Sequence, residues 1–383
     1  MLAKKDVILL VIDETTVTIG AQFREVALGL LITRLNPATS SYAWYFLIGS
    51  LPGLFFARTY GWASRRFGAR QVMIASYGLR LILVLGLWRV TNFWVALLFL
   101  AGLATSRGFY SASQAHYVAV QGDFAGTRNI VMRLRQSESI MRLAGPLLAG
   151  SVLTWIGYRN GFLVSATTYG LAMVALTNLS PLSLKNREKK PDAIIPWRPD
   201  SPALAMMALS FLTWQANTLA MAYTFHILHR HTLGYGIALS VWGGSGLAAG
   251  FALSRIHGRP LRFIAPLFGV LGLSWLILAR GVSFIPFVLL GGVEGFAGWM
   301  VQDLVVSLVL SKAFQGHAGH ARAKLDFYGE IGSIAGTTAL LLVPASWLIL
   351  PMYTILGILG IAIAGAWMMA SRGRQFIPPF EAG

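Results

Sequence analysis

No cysteine occurs in the 383 residues, and Asp, Glu, Lys and Arg together make up only 12% of them. The first absence excludes disulfides and thiolate metal sites. The second excludes a water-soluble globule of this size: with 56% hydrophobic residues and a mean hydropathy of +0.63, the chain has too little polar surface to solvate itself. Acids are scarcer than bases, 14 against 31, which leaves a net charge of +17. No Ser/His/Asp set occurs and no phosphate-cradling loop precedes a helix, so neither an enzyme nor a cofactor site is expected.

What is present is apolar sequence in runs that recur about every 30 residues, where about 20 suffice to span a bilayer as a helix. Twelve transmembrane helices are expected near 7–34, 41–60, 70–89, 92–117, 129–156, 158–181, 203–228, 235–256, 262–279, 283–310, 323–347 and 350–370. The polar, proline-punctuated stretch from Lys185 to Pro199 falls near the midpoint. The expectation is an all-α membrane protein of two pseudo-symmetric six-helix bundles, residues 1–182 and 203–383, joined by a linker over 183–202.

The bases cluster on one side of these spans, at Lys4, Lys5, Arg65, Arg66, Arg70, Arg128, Arg133, Arg135, Lys185, Lys189, Lys190, Arg255, Arg259, Lys324 and Arg372 among others. The other side carries Arg34, Arg89, Arg159, Arg230 and Arg280. Such a bias places both termini in the cytoplasm of a cell (inner or plasma) membrane protein, so the charge is topological and not a nucleic-acid footprint. The acidic pair Asp13 and Glu14 interrupts the first apolar run, which therefore reads as a retained helix and not a cleaved signal.

The two halves echo each other. Gly102-Leu-Ala-Thr-Ser-Arg107-Gly108-Phe109 aligns with Gly292-Val-Glu-Gly-Phe-Ala297-Gly298-Trp299, and Glu138 with Arg142 matches the spacing of Asp326 with Glu330. After the second span the chain reads Gly61-Trp-Ala-Ser-Arg65-Arg66-Phe-Gly68-Ala-Arg70. This resembles the Gly-x-x-x-Asp-Arg-x-Gly-Arg-Arg loop of the major facilitator superfamily. Gly61, Arg66, Gly68 and Arg70 match, whereas Arg65 stands at the family aspartate and Ala69 at an arginine. Gly145-Pro146-Leu-Leu-Ala-Gly150 is similar to an element of the superfamily's exporters, and the stretch from Arg107 to Pro146 resembles the branch of enterobactin-type siderophore and macrolide efflux proteins. The resemblance implies a monomeric, proton-coupled exporter, with small residues and a helix-bending proline in a segment that repacks between two states.

Charge within the spans is costly, about 2.5–3.5 kcal/mol per group on insertion scales, so such residues are expected to face a wet cavity or a partner. Arg24, Arg80 and Arg107 are the expected anion-binding groups, with Tyr110, Trp214, Gln215 and Trp299 completing a substrate surface. Glu294, Glu25, Glu330, Asp13 and Glu14 are the expected proton-coupling groups, Glu294 foremost. Asp13 and Arg24 are eleven residues apart, hence on one helix face, and Glu14 and Glu25 repeat that relation on the adjoining strip. Glu138 and Arg142, four apart, read as a static ion pair. All four intramembrane arginines precede the midpoint, which predicts a cavity with a cationic wall from the first half and an acidic wall from the second. Gly244-Ser-Gly246-Leu-Ala-Ala249 reads as helix packing and not as a dinucleotide site, and His229, His231, His317 and His320 as solvated, with no metal.

The expected function is proton-coupled efflux of a small amphipathic anion or zwitterion by alternating access. A lipid or lysolipid transporter of the same fold, and a non-transporting receptor suggested by Arg65, are the alternatives.

Overall fold

The computed structural model describes residues 4–121, 124–180, 199–253, 255, 260–312, 318–343 and 349–372. They form twelve α-helices: α1 Lys4–Leu35, α2 Thr39–Phe67, α3 Ala69–Arg89, α4 Phe93–Gln121, α5 Phe124–Ile156, α6 Asn160–Thr177, α7 Ser201–Ala222, α8 Thr232–Leu253, α9 Ile264–Leu278, α10 Phe284–Lys312, α11 Ala318–Leu342 and α12 Ile349–Arg372. Each expected span overlaps one of these helices, most to within a few residues, though α2 runs seven residues past its expected end, α5 begins five before its expected start and α7 ends six short of its expected end. Among the described residues, five segments, within α3, α4, α8, α10 and α12, are long and apolar enough to cross a membrane by length and composition. In α1 and α5 charges interrupt the apolar run. Most of the expected linker, and residues 344–347 of the eleventh span, lie outside the described residues.

Two departures have local causes. The seventh span ends in a π turn, Tyr223–Ile227, in which the Leu228 N–H reaches back to the Tyr223 carbonyl at 3.0 Å. A 3₁₀ turn, Pro260–Phe263, precedes α9, and Pro266 falls in the first turn of that helix, where a missing N–H breaks no helical bond.

In the first half α1 packs on α5 and α6, α3 on α4 and α6, and α2 on α4. In the second half α7 packs on α11, α12 on α9, and α10 on α8 and α9. One core, containing Tyr77, Tyr110, Phe162 and Tyr169, belongs to the first half. The other, containing Trp275, Phe268, Tyr353 and Tyr223, also takes in Leu30, Ile32, Tyr42, Phe93 and Leu97 of the first half. With twelve crossings the two chain ends share one face, called here the terminal face; the opposite face is distal.

The halves meet along α5·α8 and α2·α11. Pro146 has no N–H to bond the Arg142 carbonyl, and α8 approaches where that oxygen is released. A Cβ at Gly243 would stand 2.5 Å from the Arg142 oxygen, and one at Gly236 would stand 2.4 Å from the Pro146 oxygen. Among the described residues, side-chain hydrogen bonds also cross between the halves from Thr154 to Thr232 at 2.9 Å, from Tyr42 to His226 at 3.1 Å and from Ser50 to Ser333 at 2.7 Å. All lie at mid-depth or distal to it, so the distal side is the sealed one.

Candidate functional site

On the terminal side of this seal, α4 presents Arg107, Ser111 and Ala115 at four-residue intervals, and all three are exposed. Stripes that face lipid carry large apolar groups instead, as Leu79 and Ile82 do on α3. The α4 stripe therefore lines an aqueous recess between the halves. Arg107, at mid-depth, makes no hydrogen bond or ion pair with the described residues, yet it lies within electrostatic range of Arg142, Glu25, Arg80, Arg24, Glu14 and Glu330. Beside it a half-open cavity with about 240 Å³ of empty volume is lined by Gln22, Glu25, Arg142, Pro146, Leu239, Trp242 and Gly243, from α1, α5 and α8.

The first helix finds its partners on other helices. The Tyr110 hydroxyl donates to Asp13 Oδ2 at 2.5 Å. The Gln114 amide donates both to Glu14 Oε2 and to the Tyr110 hydroxyl, each at 3.0 Å. Arg24, one face-repeat along from Asp13, donates to the Tyr169 hydroxyl of α6. Glu25 instead faces the cavity.

Arg80 differs from the other arginines. It is 5% exposed, and its guanidinium carbon lies 5.3, 5.3 and 5.7 Å from the ring centroids of Tyr77, Tyr110 and Tyr169. Its Nε and Nη2 have no hydrogen-bond partner among the described residues, so three aromatic faces accommodate a cation buried in the first half. Tyr77, three residues before Arg80, and Gln114, four after Tyr110, are site residues that the sequence reading did not single out, although helical spacing puts each beside a residue it did. Tyr169, Gln22 and Trp242 carry no such local signal.

Glu138 and Arg142 form the expected ion pair at 2.8 Å, and the Arg142 guanidinium lies 5.4 Å from the Trp299 ring of the second half. Trp299 also packs on Trp242, centroids 5.4 Å apart. Trp214 meets Phe46 of α2 at 5.4 Å, whereas the buried Gln215 donates to the Phe211 carbonyl of its own helix at 3.1 Å. Glu330 faces α2: a Cβ at Gly53 would stand 3.4 Å from its carboxyl.

Glu294 does not join the recess, which corrects the expectation of one chamber shared by Arg24, Arg80, Arg107 and Glu294. It is 5% exposed and lies against Trp275 of α9 and Tyr353 of α12, with no base near it among the described residues. The cause is helical phase. Gly295 faces α8, where a Cβ would meet Ser245 and Trp242, and Trp299 follows one turn later on that side. Glu294, about 100° round the helix from Gly295, faces away from α8. The acidic wall of the second half is thus represented by Glu330, while most of the acids around the recess come from α1 and α5.

The match to known proteins now decides the class. Residues 20–337 match the family model described as Major Facilitator Superfamily. The chain belongs to the major facilitator superfamily. No curated relative matches the sequence. A crystal structure of a mutant of the nucleoside transporter NupG has a TM-score of 0.71 at 13% identity, covering 95% of this chain and 99% of that one. That of a D-xylose-proton symporter has a TM-score of 0.71 at 16% identity, covering 97% and 98%. At such identities the likeness is one of fold. The chain is a multi-pass membrane transporter of the superfamily and not an enzyme.

The superfamily loop motif sits where α2 turns into α3. Gly68, at φ 90°, makes the turn, a conformation that L side chains rarely adopt. Arg70 donates from Nε to the Leu176 carbonyl at 3.1 Å and from Nη2 to that of Thr177, tying α3 to the end of α6. Arg65 and Arg66 are exposed, and Arg65 Nη1 folds back to 3.4 Å from where a Gly61 Cβ would stand. In the second motif, Gly145 receives Gln22 of α1, whose Cγ would stand 2.5 Å from an added Cβ. Gly244 and Gly246 pack on Leu143 and Trp299, as helix packing requires.

Proposed function

We propose that this transporter exports a small amphipathic anion or zwitterion, such as a siderophore or drug, in exchange for protons. The halves 1–182 and 203–383 rock about the Arg107 recess in a cell membrane, with the terminal face cytoplasmic. The observation that carries the reading is Arg107: a cation at mid-depth, exposed and unpaired among the described residues, facing an opening between two halves that are sealed on the other side. An intramembrane charge in such a place marks a substrate path.

The roles follow from the surroundings. Arg107 holds the anionic part of the substrate, with Arg24 and Arg142 adding positive potential. Trp242 and Trp299 offer the apolar part a surface. Glu25, Glu14 and Glu330 exchange protons with the recess and compete with the substrate for the same cations. A closed form with an uncompensated buried charge is costly, so the loaded or protonated form is the one that crosses. Asp13, held by Tyr110, tunes the Arg80 cage. Glu294 carries a proton in the second half without touching the substrate.

The test begins with thermal stabilisation of the purified protein by siderophores, macrolides, dyes and lysolipids. The best ligand is then followed into proteoliposomes under an imposed acid-inside gradient. Gradient-driven uptake that Arg107→Gln abolishes supports the proposal, and leaflet exchange of lipid without such uptake replaces it with lipid transport.

A further inference from the structure

We propose that His226 positions the distal closure. Through Tyr42 it fastens the π turn of the second half to α1 and α2 of the first, in a hydrogen-bond chain with one direction. The chain is deduced from its far end. Thr33 Oγ1 lies 2.7 Å from the Gly29 carbonyl, which can only accept, so the single threonine proton is committed there. Tyr42 lies 2.8 Å from the same Thr33 oxygen and therefore donates to it. Having given its proton to Thr33, the Tyr42 oxygen accepts from His226 Nε2, 3.1 Å away. His226 thus carries its proton on Nε2, a requirement that both the neutral Nε2–H tautomer and the imidazolium meet.

Packing holds the chain at both ends. The π turn begins at Tyr223, whose hydroxyl donates to the Val282 carbonyl at 2.7 Å and whose ring stacks on Phe287 at 4.9 Å. Thr33 belongs to α1, and Gly29 is pressed by Tyr235, Met221 and Phe225, each within 3.4 Å of an added Cβ. Tyr42 is fully buried between these anchors, with Phe225 stacked at 6.4 Å and the His226 ring edge-on at 5.7 Å. π turns are frequent at functional sites, and here one carries the ring that crosses to the other half. The proposal rests on the transport reading in one respect, that the distal closure opens during the cycle.

The cysteine-free chain suits a single-thiol experiment. Gly49, seven residues after Tyr42 and on the same face of α2, has no atom within 4 Å of an added Cβ. In Gly49→Cys protein in oriented vesicles, a membrane-impermeant maleimide applied to the distal face reports opening. Adding His226→Ala or Tyr42→Phe raises the labelling rate about fivefold, the factor carried by one lost hydrogen bond. Adding His226→Gln, whose amide N–H reaches the same hydroxyl, leaves the rate within about twofold of the parent. Tyr42→Phe keeps the ring and so separates loss of the hydrogen bond from loss of packing. Equal rates in all these proteins, or His226→Gln labelling as fast as His226→Ala, would overturn the proposal. Labelling needs no substrate, so equal labelling overturns this inference alone, while the transport reading is tested separately by uptake.

Discussion

Gly243 of α8 rests on the main-chain oxygen of Arg142 in α5, which Pro146 has released from its own helix, so closely that a Cβ would stand 2.5 Å from it. The approach is one a Cα–H···O contact permits and a side chain does not. Gly243→Ala and Gly236→Ala each force α5 and α8 apart at a cost of about 1–3 kcal/mol. Both lower the thermal unfolding midpoint in detergent and raise distal labelling of the Gly49→Cys thiol. Gly250→Ala, with nothing within 4 Å of its Cβ, leaves the midpoint unchanged or raises it through helix propensity. Equal effects at all three positions would contradict the seam.

Arg80 and Arg107, two arginines at similar depth, are predicted to fail differently. Arg80→Gln removes contacts with three tyrosine faces, each worth about 0.5–2 kcal/mol, and lowers the unfolding midpoint. Arg107→Gln leaves that midpoint in place and abolishes gradient-driven uptake, because losing a charge-assisted contact of about 1.5–3 kcal/mol lifts the KM about 10- to 100-fold, above the ligand concentration supplied. Paired melting and uptake curves separate the two.

Glu294 and Glu25 divide in the same way. Glu294→Gln keeps shape and removes the titrating group from a pocket remote from Arg107, so it flattens the dependence of uptake rate on internal pH while ligand affinity is unchanged. Glu25→Gln, in the cavity wall, changes both. Ligand titrations at two pH values alongside uptake distinguish the outcomes.

In the loop motif, Arg70→Ala frees the Leu176 and Thr177 carbonyls and costs about 1 kcal/mol at this partly exposed position. Arg65→Ala, at an exposed site, changes the unfolding midpoint little. Denaturation of both variants beside the parent checks the pair.

Helix number and type were legible because bilayer crossing demands long apolar runs, and those runs are written contiguously in the sequence. The partners of Asp13, Glu14 and Arg24 had to lie on other helices, since eleven residues is three turns and too far for pairing within α1; Tyr110, Gln114 and Tyr169 fill those places. Helical phase was less legible. Charge and span position predict Glu294 on an acidic wall facing the arginines, whereas Gly292, Gly295 and Trp299 form a stripe of small residues and an indole that turns toward α8 and carries Glu294 away from it. The Arg80 cage was hidden for another reason: Tyr169 lies 89 positions from Arg80, and only the packing of α3 on α6 joins them.

The most direct measurement is uptake of the best-stabilising ligand into proteoliposomes with and without an acid-inside gradient, for the parent protein and Arg107→Gln. Accumulation that requires the gradient and disappears in Arg107→Gln, with the variant still folded, is the predicted result. Accumulation indifferent to the gradient, or equal in the two proteins, would contradict a proton-driven path through the Arg107 recess.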